Sequence, residues 1–213
     1  IFNIGDLLYN DINHMKRKAK AKNSEFLSEE AWQKMKEASD EKLVDMIKKG
    51  MPRTYRELVK RYRHKIFAYL FRLVGNRDEA EDLLQNVFVK VYSNIKRVDT
   101  QKKFSSWIYR IAHTEAVNCL KKRSRRHMIS IDDIQTSKDK LEITDMSKSP
   151  IDAWIGKERK NEMQKALEKL PAKYKEVLIL RFYLDKSYEE MSDILGRPVN
   201  TVGTLLNRAK KKL

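Results

Sequence analysis

The segment from Ala80 to Ile95 constrains the fold of this chain more than any other part of the sequence. Its apolar residues recur without a break at helical spacing: Ala80, Leu83, Leu84, Val87, Phe88, Val91, Tyr92 and Ile95. A strand would need alternation with a period of two, so this segment is an amphipathic helix whose apolar face must be buried against other helices. The same helical period runs through residues 40–49, 55–74, 104–126 and 155–170, and no alternating pattern appears. Glycine (6) and proline (4) are too scarce for the many turns of an all-β protein. We therefore predict an all-α fold.

Short signals in the sequence separate the predicted helices. Gly75 ends the 55–74 helix, and Asn76 caps the next helix together with Glu79. Near the C-terminus, Ser187 and Glu190 form a capping box that begins a short helix, and Gly196 ends it. Two further helices begin at prolines: the one from Pro171 turns Val177, Leu178, Leu180 and Phe182 inward, and the one from Pro198 turns Val202, Leu206, Ala209 and Leu213 inward.

Composition divides the chain into four parts. Residues 130–152 are mildly acidic, have no sustained helical period and contain Ser149-Pro150, which indicates an extended linker. We predict an N-terminal extension over 1–38, a first helical domain over 39–127, a linker over 128–153 and a second helical domain over 154–213. The architecture is then two small helical domains joined by an extended linker.

The net charge restricts the class of partner. The formal charge is +16, which attracts nucleic acid, anionic membrane or an acidic protein, and charge alone does not choose among these. No apolar run is long enough to cross a membrane, and the N-terminus has no apolar signal-peptide core. The single cysteine, Cys119, is expected to be a buried thiol in a reducing compartment, so we expect a cytoplasmic protein.

The sequence offers no pattern typical of an enzyme. The four histidines, His14, His64, His113 and His127, are scattered, and neither a nucleophile constellation nor a phosphate-cradling glycine loop appears. We expect no catalytic residue, no metal and no cofactor.

Two segments point to nucleic acid. Residues 187–212 have the pattern of a helix-turn-helix, with a short helix, a turn at Gly196 and a second helix whose outer face is polar and basic. In the 104–126 helix, aromatic residues precede a basic run, a combination that suits single-stranded DNA. Phe104 and Trp107 fit the apolar stripe as core anchors, whereas Tyr109 lies off the stripe and is the better candidate for stacking on a base.

These segments together resemble the extracytoplasmic-function (ECF) sigma factors, over about residues 39–213. Motifs of the family's region 2 are similar to Ser39–Val44, Tyr55-Arg56-Glu57-Leu58 with Arg61-Tyr62, Asp78–Phe88 and Phe104–Ala112, in that order. Its region 4 is similar to Leu170-Pro171, Ser187–Met191, Thr201-Val202 and Asn207-Arg208-Ala209. No single motif is specific to this family, but the order of the motifs and the linker between them are specific to it.

The resemblance implies a factor that binds core RNA polymerase and directs promoter recognition, melting of the −10 element and transcription initiation. It implies that core polymerase, through the clamp of its largest subunit, binds Asp78, Glu81, Asp82, Gln85, Asn86 and Phe88. It implies contacts with melted −10 DNA from Lys103, Ser105, Trp107, Tyr109, His113, Asn118, Lys121, Lys122 and Arg125. It implies that the helix-turn-helix binds the −35 region through Arg197, Asn200, Thr201, Thr204, Asn207, Arg208, Lys210 and Lys211. Further implied partners are the polymerase β flap and an anti-sigma factor, and no membrane partner is implied.

The sequence departs from the family's pattern at two places. The melting helix carries Thr114 and Asn118 where the family often has Asn and Asp, so the base preference at the −10 element cannot be carried over. The groove-facing stretch of the recognition helix carries Gly203 and Leu205 where the family often has cations. One possibility is that the recognition helix recognises −35 bases weakly and that a recruiting DNA-binding protein supplements it. The other is that the helix recognises another base sequence or the shape of the DNA.

Three alternative functions remain open at this point. A helix-turn-helix regulator would bind duplex DNA without polymerase, and a basic RNA-binding adaptor would bind RNA without affecting promoter-directed synthesis. A membrane-surface role would need an amphipathic basic helix, which only residues 1–22 approach.

Overall fold

The structure is a computed structural model that describes residues 33, 35–129, 167 and 169–212. Several predicted segments therefore lie outside the described residues. They are the N-terminal extension up to residue 32, the acidic linker, nearly all of the 155–170 helix, and Leu213. The chain divides into two compact units, Ile1–Ser39 and Asp40–Leu213. In the first unit, residues 35–37 are helical.

The second unit contains seven α-helices within the described residues. Four form an N-terminal helix group: α1 (Asp40–Lys48), α2 (Tyr55–Val74), α3 (Arg77–Asn94) and α4 (Phe104–Ile129). Three form a C-terminal helix group: α5 (Ala172–Leu178), α6 (Tyr188–Leu195) and α7 (Val199–Lys210). Short 3-10 turns occupy Pro52–Thr54 and Ile95–Arg97, and a π-helical turn, Ile179–Tyr183, continues α5. The described residues include no strand, and the predicted all-α class is confirmed.

The N-terminal helix group is a bundle around the apolar face of α3. That face is buried along its length, and Ile66, Leu70 and Ile108 of the neighbouring helices are completely inaccessible to solvent. The boundary between α2 and α3 is the predicted one: Gly75 has a φ of 77°, a left-handed conformation that favours glycine. Asn76 Oδ1 then accepts a hydrogen bond from the backbone N–H of Glu79 at 2.9 Å, which caps α3.

A carboxylate of α1 fixes the start of α4. The backbone N–H of Phe104 donates to Glu41 Oε1 at 3.0 Å, which satisfies an amide that the helix itself leaves unpaired. An acidic group is also favoured at this end of a helix by the helix dipole. Glu41 therefore positions the first turn of α4, which contains several predicted DNA-binding residues.

The C-terminal helix group has the predicted helix-turn-helix boundaries. Ser187 and Glu190 make both hydrogen bonds of the capping box at the start of α6. Gly196 ends α6 with a φ of 61°. Both prolines stand one position before their helices, as the N-cap residues of α5 and α7.

Three expectations about burial are corrected by the structure. Phe182 was expected to face inward, but it is 60% exposed, because Ile179–Tyr183 is π-helical. The Leu184 N–H donates to Ile179 O, five residues back, so the 3.6-residue period assumed for this segment turns Phe182 to the wrong side. Leu205, expected on the groove-facing side, is buried in the C-terminal helix group. Cys119 is only half-buried.

The two helix groups pack against each other within the second unit. Helix α6 lies on α4, and α5 approaches α2. Ala112 of α4 and Met191 and Ile194 of α6 are inaccessible to solvent. The C-terminal helix group therefore covers part of the surface of α4.

Candidate nucleic-acid and protein interfaces

The outer face of α3 is polar and accessible. Asp78, Asp82 and Asn86 are exposed, and Glu81 and Gln85 are half-buried. Arg77 Nε donates to Glu81 Oε1 at 2.9 Å, an exposed pair that contributes little to stability. This face has the carboxylates and amides that a basic or polar protein surface could bind.

Phe88 does not belong to that face. It is 1% exposed and lies in the core, where its backbone carbonyl accepts a hydrogen bond from the Tyr55 hydroxyl at 2.7 Å. The side chain of Phe88, predicted to bind core polymerase, is therefore not accessible to a partner in this structure, because Phe88 lies on the apolar stripe of α3. Val89, which sequence reasoning missed, is 53% exposed and continues the outer face four residues after Gln85. The four-residue spacing from Gln85 could have identified Val89 from the sequence.

A pocket of about 400 Å³ opens where the end of α3 meets the first half of α4. Its lining residues come from both helices and from the turn that follows α3: Lys90, Asn94, Arg97, Trp107, Arg110, Ile111, Thr114 and Glu115. Lys90 Nζ pairs with Glu115 Oε1 at 2.6 Å, which neutralises the carboxylate of the pocket. Arg97 and Arg110 are exposed, and Trp107 is half-buried. An indole with nearby cations can stack on an unpaired base and hold its phosphate.

Trp107 is the predicted DNA-binding residue that lines this pocket, and sequence reasoning missed its cationic neighbours. Arg110 lies one helical turn after Trp107, a spacing that places both on one side of α4. Arg97 ends the 3-10 turn that follows α3, and nothing in its local sequence indicates that it reaches α4.

Tyr109 was expected to lie off the apolar stripe of α4, but it is 3% exposed. Its ring packs edge-on against the ring of Tyr69, with centroids 5.4 Å apart, and burial raises the pKa of its hydroxyl. Lys186 of the C-terminal helix group places Nζ 5.6 Å from the centroid of the same ring. Tyr109 is therefore not accessible to a base in this structure. The stripe is wider than predicted because α4 is covered on two sides, and the second cover comes from a distant segment of the chain.

Three more of the predicted −10 residues contact the C-terminal helix group. Lys103 Nζ pairs with Glu190 Oε1 at 3.2 Å, and Lys186 Nζ donates to Ser105 Oγ at 3.3 Å. His113 Nδ1 pairs with Glu176. The predicted residues further along α4, namely Asn118, Lys121, Lys122 and Arg125, are exposed.

Glu190 connects the capping box to this contact. Burial raises the pKa of its carboxyl, but the N–H of Ser187 and the ammonium groups of Lys103 and Lys186 lower it by more, so its pKa is below the ordinary value of 4.5. Glu190 is therefore ionised at neutral pH, where it caps α6 and attracts both lysines.

The helix-turn-helix presents every predicted −35 residue to solvent. Arg197 precedes α7, and the others lie on its outer face or just after it: Asn200, Thr201, Thr204, Asn207, Arg208, Lys210 and Lys211. The Thr204 hydroxyl donates to the carbonyl oxygen of Asn200 at 2.9 Å. The cations lie at the two ends of α7 and the short polar side chains lie between them.

No helix in the described part of the chain is both long and apolar enough to cross a bilayer. Nor do the described residues bring together three His, Cys, Asp or Glu side chains that could hold a metal ion.

Two family descriptions match parts of this chain. The family description "Sigma-70 region 2" matches residues 58–126, and "Sigma-70, region 4" matches residues 160–213. The ECF RNA polymerase sigma factor SigW of Bacillus subtilis is 32% identical over 174 residues, which cover 81% of this chain and 93% of that protein. The RNA polymerase sigma-H factor of Pseudomonas aeruginosa is 29% identical, over 82% of this chain and 91% of that protein.

Solved structures share the fold. The sigma factor RpoE from Bartonella quintana, in complex with the anti-sigma factor NepR, matches with a TM-score of 0.61 and 21% identity, over 74% of this chain and 92% of that one. CnrH in complex with the cytosolic domain of CnrY matches with a TM-score of 0.58 and 19% identity, over 82% and 94% of the two chains.

Proposed function

Since the chain belongs to the ECF sigma factors of the sigma-70 family, we propose that its outer α3 face binds core RNA polymerase and that the pocket between α3 and α4 receives promoter DNA. A sigma factor directs transcription initiation and is not itself an enzyme, so catalysis belongs to the polymerase. The observation that carries the proposal is the position of the two surfaces. The accessible acid and amide groups of α3 lead along the same helix to a cationic pocket that contains Trp107.

The clamp of the largest polymerase subunit is the proposed partner of α3. Asp82 and Asn86 are exposed one helical turn apart, Gln85 lies beside them, and Val89 adds an apolar contact to the same face. An apolar residue surrounded by polar groups is a common arrangement at protein interfaces. The interface would form without unfolding α3, because these side chains do not hold the core together.

The pocket is the proposed site for an unpaired base of the −10 strand. Trp107 would stack on the base, while Arg97 and Arg110 would hold the adjacent phosphates. Unstacking costs a few kcal/mol, roughly, and pocket contacts have to offset that cost. Lys121, Lys122 and Arg125 extend the positive surface along α4 and would hold the DNA backbone further from the pocket.

Helix α7 is proposed to dock on duplex DNA upstream. Its central turns offer Asn200, Thr201 and Thr204, whereas Arg208 lies late in the helix and suits phosphates, which position a protein without specifying a sequence. We therefore propose weak reading of −35 bases, supplemented by a recruiting protein. Scrambling the upstream element while keeping the −10 element tests this with core polymerase alone. A loss of about 2 kcal/mol or more in promoter affinity would contradict it.

Two further partners follow from the same premise. The β flap of the polymerase would bind the C-terminal helix group, and an anti-sigma factor would compete for the factor, as NepR binds the RpoE protein whose fold is shared. The site of action would be the cytoplasm, where polymerase and promoter DNA are found.

Gel shift with and without core polymerase tests the proposed function against the regulator alternative. We expect the purified chain to bind a promoter fragment stably only when core polymerase is present. Stable, sequence-specific binding of duplex DNA by the chain alone would favour a conventional helix-turn-helix regulator.

A further inference from the structure

We propose that Lys48 and Glu41 of α1 are positioning residues for recognition of the −10 strand, because together they hold both ends of the loop between the two walls of the pocket. This connecting loop, residues 98–103, runs from the 3-10 turn that ends at Arg97 to the start of α4. Lys48 and Glu41 themselves lie outside the set of residues that line the pocket. The proposal rests on the proposed function, because it takes the pocket to be the site of an unpaired base.

Lys48 holds the first end of the connecting loop. Its Nζ donates a hydrogen bond to the backbone carbonyl oxygen of Val98 at 2.5 Å. Val98 is buried and directly follows Arg97, which lines the pocket. An ammonium group is favoured there because the carbonyl end of a helical turn carries partial negative charge, and a charged donor makes a stronger hydrogen bond than a neutral one. Lys48 therefore constrains the backbone next to Arg97.

Glu41 holds the second end of the connecting loop. Its Oε1 accepts a hydrogen bond from the backbone N–H of Phe104 at 3.0 Å. The ring of Phe104 is inaccessible to solvent, and its centroid lies 5.7 Å from that of the Trp107 ring. Glu41 therefore fixes the first turn of α4, from which Trp107 reaches the pocket.

Both contacts come from the same side of one anchored helix. Glu41 and Lys48 are seven residues apart, which is close to two full turns and about 10 Å along the helix axis. The apolar face of α1 is buried in the core. At the start of α1, Asp40 Oδ1 accepts a hydrogen bond from Arg61 of α2 at 2.8 Å. Helix α1 is thus a fixed support for the two ends of the connecting loop.

The connecting loop needs this support because most of its side chains are in solvent. The side chains at positions 99 and 101–103 are exposed, so their burial does not fix the tip of the loop. The backbone N–H of Gln101 donates to Asp99 Oδ1 at 3.0 Å, a turn that orders the tip only locally. A binding site needs its groups held to within about 0.5 Å, and the walls of this pocket lie on opposite sides of the loop.

Amide hydrogen exchange of the full chain, measured by mass spectrometry, tests whether α1 holds the connecting loop. Lys48→Met keeps an unbranched side chain and removes the donor. Lys49→Met, at the neighbouring exposed position, is the control with the same loss of charge. We expect peptides covering residues 96–104 to exchange about tenfold faster in Lys48→Met, the effect of losing one hydrogen bond to a charged group, and peptides of α3 to be unchanged. Glu41→Ala releases the other end and should accelerate the same peptides.

Open-complex formation by the holoenzyme tests the consequence for promoter recognition. Each variant is compared on a promoter that the unmodified chain uses and on versions of it with single-base changes in the −10 element. We expect Lys48→Met to form open complexes about tenfold more slowly on the intact promoter. It should also discriminate less against the base changes, because a displaced pocket no longer favours the matched base. Lys48→Arg keeps a charged donor and should restore both the rate and the discrimination, and all variants should co-purify with core polymerase.

The outcomes separate the proposal from the function on which it rests. Equal exchange of residues 96–104 in Lys48→Met and Lys49→Met would overturn the proposal, and if Lys48→Met does not fold, unchanged exchange in Glu41→Ala would do the same. Faster exchange with an unchanged rate and unchanged base discrimination would overturn the role in −10 recognition. Failure of the unmodified chain to form open complexes with core polymerase would instead overturn the proposed function, and exchange would still decide whether α1 holds the loop.

Discussion

The sequence and the structure disagree about which of two aromatic residues of α4 is accessible. Periodicity alone favoured Trp107 as a core anchor and Tyr109 as the base-stacking residue. The structure places Trp107 at the pocket, half-buried, with its ring centroid 5.7 Å from that of Phe104, and it places Tyr109 between the two helix groups. Side-chain accessibility therefore favours Trp107 over Tyr109 for the proposed stacking on a base.

Substitution of these two residues should give different defects. Trp107→Ala should weaken open-complex formation by about 1–3 kcal/mol, because a stacked base loses its platform. Tyr109→Ala should instead lower the free energy of unfolding by about 3–5 kcal/mol, as for other buried aromatics. Permanganate reactivity of promoter thymines and urea denaturation measure the two effects.

Tyr109→Phe and a pre-melted promoter serve as controls for that pair. The phenylalanine variant keeps the buried ring and should retain open-complex formation, and pre-melted template should restore initiation by Trp107→Ala if the defect is in melting. Normal open-complex formation by Trp107→Ala would contradict the proposal that the pocket binds an unpaired base.

Glu190 makes the stability of the C-terminal helix group depend on acid pH. Its pKa is lower in the folded chain than the ordinary value of 4.5, so its contribution is present above that pH and is lost as the pH falls through the folded pKa. Between neutral pH and pH about 3, the urea midpoint of the wild type should therefore fall more than that of Glu190→Gln, which lacks the ionised carboxylate. Parallel pH profiles would show that the capping box does not depend on this charge.

Helix α3 has two faces that differ in accessibility. Its apolar face is buried in the core, and its outer face is accessible. The combined change Asp82→Arg and Gln85→Ala should abolish co-purification with core polymerase and leave the circular dichroism unchanged. Lys60→Glu, a charge reversal at an exposed position of α2, is the control and should co-purify normally. Unchanged co-purification of the double variant would remove α3 as the polymerase-binding element.

Helix α7 carries a glycine that its conformation does not require. A Cβ atom added at Gly203 would meet the ring of Tyr188 at 3.7 Å, an ordinary van der Waals distance, so alanine fits there. Gly203→Ala should raise the free energy of unfolding by about 0.5–1 kcal/mol, because glycine loses more backbone entropy in a helix. A lower urea midpoint for this variant would show that the ring of Tyr188 cannot accommodate the methyl group.

The helices of the described residues were largely predictable from the sequence, but the packing of the C-terminal helix group on α4 was not. Gly75, Gly196 and the Ser187 capping box are local signals, and they set helix ends where the structure has them. Phe182 escaped prediction because a π-helical turn changes the phase of the helix. Tyr109 escaped because its second neighbour, Lys186, is far away in the sequence, and periodicity within one helix carries no information about that contact.

The candidate site could also be predicted only in part, because the periodicity of one helix carries no information about its distant neighbours. The outer residues of α3 and α7 could be predicted because a helix without a partner on one side leaves its polar residues in solvent. The pocket could not, since it is formed jointly by the end of α3, the turn after it and α4. Which residues face one another across such a junction depends on how the helices cross, and the sequence pattern of each helix does not contain that angle.

Run-off transcription with purified core polymerase on a pool of random promoters tests whether this chain directs initiation at promoters. We predict discrete transcripts that depend on this chain, that share a common sequence near the −10 position, and that disappear with the Asp82→Arg and Gln85→Ala double variant. If a folded chain gave no transcript beyond that of core polymerase alone, the proposed sigma function would be wrong.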